Sequence, residues 1–89
     1  MINTEALAAA ARKMTALLEV HKNNVDVQYL LSNERFMRLV DDAANQRIFQ
    51  PVDLGLERWV LESNIRSCND IRSVISELYF LFRGEPVPV

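Results

Sequence analysis

The sequence is short of the residues that break or reshape a chain. It holds two glycines and three prolines in 89 residues, and Pro86 and Pro88 lie among the last four. An interior so free of breakers favours long helices. With only Gly55 and Gly84 available, a phosphate-cradling glycine loop is excluded, and no calcium-loop pattern occurs. One cysteine, Cys68, rules out an intramolecular disulfide, and one histidine, His21, leaves no Cys/His spacing for zinc. A lone cysteine fits a reducing compartment. No apolar run reaches the ~18 residues needed to span a bilayer. The Ala-rich stretch from Ala6 to Ala11 has no basic leader before it, so it does not resemble a secretory signal. A cytoplasmic protein is the expectation. No stretch sustains the apolar–polar alternation of β-branched residues that marks strands, and a Rossmann unit falls with them.

Apolar residues make up 49% of the chain and charged residues 25%, an ordinary globular balance. The net charge of −2 supplies no overall field towards nucleic acid or anionic lipid. Eight of the ten basic residues are arginine, which suits planar, bidentate contacts. A chain of 89 residues is one domain and buries only roughly 60–65% of its unfolded surface. Small helical domains of this size often complete their burial against a partner.

Four helical patterns run along the chain. The first spans Thr4 to Lys22: Leu7, Ala11, Met14, Leu18 and His21 recur at three- and four-residue spacing, with Ala10 and Leu17 beside them. Asn3 or Thr4 caps its start and Asn23-Asn24 its end. The second follows Asp26 as N-cap, with Val25 and Leu30 placed as a hydrophobic staple. It carries Leu30, Met37, Val40 and Ala44 on one side and is read as one continuous helix to Gln46. Ser32-Asn33 is its weak point, where Ser32 would recap a second piece. Arg47 to Gln50 connects to a third helix that begins at Pro51 and stops near Ser63-Asn64, with Gly55 weakening its first turn by roughly 1 kcal/mol. The fourth helix opens on Ser67-Cys68-Asn69-Asp70, a capping-box pattern with Asp in place of Glu. It continues through Ile71, Val74, Ile75, Leu78, Leu81 and Phe82, with Gly84 as left-handed cap and Pro86 blocking continuation. The expected fold is all-α, a small four-helix bundle-like domain with short connections over residues 1–84 and an extended tail at 85–89.

Catalytic chemistry finds little support. His21 is the one side chain a Ser-His or Cys-His pair could use, and it sits beside the apolar stripe, as a structural histidine would. Asp41-Asp42 is an adjacent acidic pair, but neighbours on a helix point about 100° apart and do not share a face. The chain is read as a non-enzyme that needs no metal or cofactor.

Two binding readings stand against each other. Tyr79-Phe80-Leu81-Phe82 surrounds the axis of the fourth helix with large apolar groups, more than one core stripe can take. Tyr79, Phe80 and Phe82, with Trp59, Phe49 and Ile48 as further anchors, point to a protein–protein interaction module that pairs with itself, a regulator, adaptor or chaperone-like protein. The alternative is a helix-turn-helix over residues 54–82 that contacts DNA through Arg58, Arg66, Asn69 and Arg72. Its turn lacks the frequent glycine, its apolar register is shifted, and the acidic total opposes phosphate binding.

Overall fold

The computed structural model describes residues 2–55 and 69–85. Among these the chain is all-α: α1 (Thr4–Val20), α2 (Val25–Ser32), α3 (Glu34–Ala44) and α4 (Asn69–Phe82). The bundle-like, all-helical architecture expected from the sequence is the observed one.

α1 is the central element. Asn3 caps it by accepting the Ala6 N–H at 3.0 Å, and Glu5 complements the positive end of its dipole. Its buried residues are Leu7, Ala8, Ala10, Ala11, Met14 and Leu18, the apolar stripe visible in the sequence. α1 packs against both α3 and α4, and Ala10 and Ala11 belong to the shared core, where a small side chain keeps the backbones close. α4 runs antiparallel to α1. Lys13 meets Glu77 at 3.3 Å, whereas His21, eight positions further on, meets Asp70 at 2.9 Å near the start of α4. The core between them takes Phe36 and Val40 from α3 and Ile71, Val74, Leu78 and Phe82 from α4. Each such burial is worth about 1.5–3 kcal/mol.

The second expected helix is two helices. α2 starts two residues earlier than the sequence suggests, because Asn24, not Asp26, is its N-cap, accepting the Asp26 N–H at 2.9 Å. Val25 is exposed and makes no staple. The break falls at Asn33. Its backbone N–H closes α2 on the Leu30 carbonyl at 3.1 Å, and its side chain opens α3 by accepting the Phe36 N–H at 3.1 Å. An extended backbone (φ −82°, ψ 96°) turns the chain between the two. Asparagine wins over continuation because its side chain offers the next turn an alternative hydrogen bond; Asn33, rather than Ser32, does the recapping.

Two helices end in the same device. At α4, Gly84 adopts φ +75°, its N–H reaches the Leu81 carbonyl at 3.1 Å, and the Glu85 N–H reaches the Phe80 carbonyl at 2.9 Å. At α3, Gln46 adopts φ +56°, with Gln46 N–H on the Ala43 carbonyl at 3.1 Å and Arg47 N–H on the Asp42 carbonyl at 2.8 Å. Both are Schellman motifs, the second built on a residue that pays for the left-handed conformation.

The expected helix from Pro51 does not form in its first turn: residues 51–55 are non-helical. Their hydrogen-bonding groups are committed elsewhere. The Val52 N–H donates to the Phe82 carbonyl at the end of α4, at 2.8 Å. Arg35 donates to the carbonyls of Leu54, at 2.8 Å, and Asp53. Asp53 folds back to accept the Gly55 N–H at 3.0 Å, and Gly55 takes φ +70°. That Asx-turn competes with a helical first turn and prevails. The remainder of that helix, and the Ser67-Cys68 half of the capping box, lie outside the described residues.

Candidate functional site

The expected interaction surface is divided by the fold. Phe82 and Ile48 are in the core cluster, so a partner would reach them only by opening the domain. Tyr79 is half-buried and packs against the core, and Phe80 is half-buried beside it. Their rings meet edge to face, with centroids 5.5 Å apart and planes at 83°. The Arg83 guanidinium sits 5.2 Å from the Tyr79 ring centre and donates to the Tyr79 hydroxyl at 2.6 Å. Tyr79 and Phe80 thus form a semi-exposed aromatic edge whose geometry is already set by internal contacts. Trp59 lies outside the described residues.

Phe49 stands apart from these. Its side chain is 75% exposed on a connector whose two flanks are fixed. On one side Ile48 is buried and the chain has just left the α3 Schellman motif. On the other, the Val52 N–H is tied to α4 and Leu54 is buried. Arg47 beside it lies 4.0 Å from Asp42. Backbone ties on either side leave less of the connector to be ordered on binding than a free loop would.

Other apolar side chains stand exposed on and around α2. Val20, Val25, Tyr29 and Leu31 are all exposed, whereas α2 buries only Val27 and Leu30. The signal was present in the sequence: Val25-Asp26-Val27-Gln28-Tyr29-Leu30-Leu31-Ser32 is apolar on more than one face. A helix of that kind is either surrounded or left partly bare. An open groove also runs between α1 and α3, walled by Arg12, Thr15, Met37, Val40, Asp41 and Ala44. Arg12 crosses it to donate to the Ala44 carbonyl at 3.2 Å, satisfying a C-terminal group of α3.

The groups singled out for chemistry are distributed rather than convergent. His21, at the C-cap of α1, is engaged with Asp70. Asp41 is exposed, and Asp42 faces Arg47. Among the described residues no three His, Cys, Asp or Glu side chains gather as metal ligands would, and none of the buried residues is polar or charged. No helix among them is long and apolar enough to cross a membrane.

Of the alternative DNA contacts, Arg58 and Arg66 fall outside the described residues. Asn69 and Arg72 are exposed on the first turn of α4. Asp70 lies between them, its carboxyl held below the usual carboxylate range by the His21 hydrogen bond and then by the Ile71 N–H. That end of α4 therefore presents a carboxylate to any approaching phosphate. Comparison with protein-family models, with curated proteins and with solved structures yields no match.

Proposed function

We propose that this protein is a non-enzymatic protein–protein interaction module, a small regulator, adaptor or chaperone-like partner that also pairs with itself. The observation that carries the reading is Phe49, exposed on a connector anchored on both sides. Aromatic side chains of this kind dominate binding hot spots. Tyr79 and Phe80 supply a second, half-covered aromatic edge. The surrounding charges are mixed, with Arg47 facing Asp42 and Arg83 facing Glu85, which suits an orienting polar rim more than a nucleic-acid face. The single cysteine, which permits no intramolecular disulfide, suits a cytoplasmic setting.

Burying one phenylalanine is worth about 1.5–3 kcal/mol, or roughly a 10- to 150-fold change in affinity. Phe49→Asp is the informative variant, because the wild-type side chain contributes almost nothing to the fold. Light scattering on a sizing column over a range of protein concentrations should show the wild type associating and Phe49→Asp remaining monomeric with unchanged helicity. A wild type that stays monomeric throughout would remove self-association, and association undiminished in the variant would remove Phe49.

A further inference from the structure

We draw no further inference here: the strongest candidate, the open groove between α1 and α3 with Met37, Val40 and Ala44 on its walls, is an unpartnered apolar face, and nothing in the structure shows what covers it.

Discussion

Replacing Gln46 with glycine should stabilise the protein, and replacing Gly84 with alanine should destabilise it. The two residues occupy the same place in the same motif, at φ +56° and φ +75°. For a residue with a Cβ, the left-handed conformation costs about 1–2 kcal/mol. Glycine avoids that cost but gives the unfolded chain more freedom, which offsets about 0.4–1 kcal/mol. The difference leaves Gln46→Gly ahead by about 0.5–1 kcal/mol, and Gly84→Ala behind by a similar amount. Gln46 is exposed, so deleting its side chain removes no packing. In a small domain, where urea slopes are about 1 kcal/mol per molar, these changes move the midpoint by about 0.5–1 M in opposite directions. Because the motifs close different helices, α3 and α4, the double variant should fall near the sum. A Gln46→Gly protein no more stable than the wild type would refute the reasoning, since the backbone strain it removes would then not exist in solution.

Three further outcomes follow from the packing and the polar ties. Phe36, buried at 1% exposure, should cost about 3–5 kcal/mol when changed to alanine. That is a large part of the ~4–13 kcal/mol typical of a chain this size, so a fall in melting temperature of less than about 10 °C would place Phe36 outside the core. Asp70 has a lowered folded pKa, so its contribution is present above the ordinary value of 3.8 and is lost as pH falls through the folded value. Denaturant melts should therefore show the wild type ahead of Asp70→Asn at pH 6, with the gap closing in strong acid; a gap independent of pH would contradict the His21–Asp70 pairing. Arg35→Ala frees the carbonyls of Asp53 and Leu54 and should speed amide exchange at Val52 and Gly55 while leaving α1 unchanged. Equal exchange at those amides would mean the connector is held without Arg35.

What was legible in the sequence was what local periodicity and end-chemistry encode. The α1 stripe, the α4 stripe and the Gly84 stop are each dictated within a turn or two of their own residues, and each appears where expected. The misreadings occur where a distant partner decides. Pro51 and Asp53 are good residues for a helix start, yet Arg35 and the Phe82 carbonyl, 18 or more positions away, claim the backbone of that segment. Ser32-Asn33 is a visible weak point in the sequence, with Ser32 the expected cap, but whether and where a capping residue interrupts a helix depends on what the following turn packs against. Phe36, the first residue whose N–H Asn33 caps, is driven into the core, and this sets the direction of α3.

The same distinction governs the candidate site. A run such as Tyr79 to Phe82 announces excess apolar surface, but not which part of it the fold will absorb. Here the bundle takes Leu81 and Phe82 entirely and half-covers Tyr79 and Phe80. Phe49 gives no such announcement, since in sequence it is equivalent to Ile48 beside it. The Schellman turn that ends α3 lies just before the pair and the tether of Val52 to α4 just after it; between them Ile48 is buried and Phe49 stands in water. A single exposed aromatic is ordinary on a protein surface; what sets Phe49 apart is the connector that carries it, anchored on either side. Its side chain is exposed, whereas those of the Tyr79–Phe82 run are half-buried or buried, which is why the Phe49→Asp variant tests the proposed interaction more directly than any change in that run.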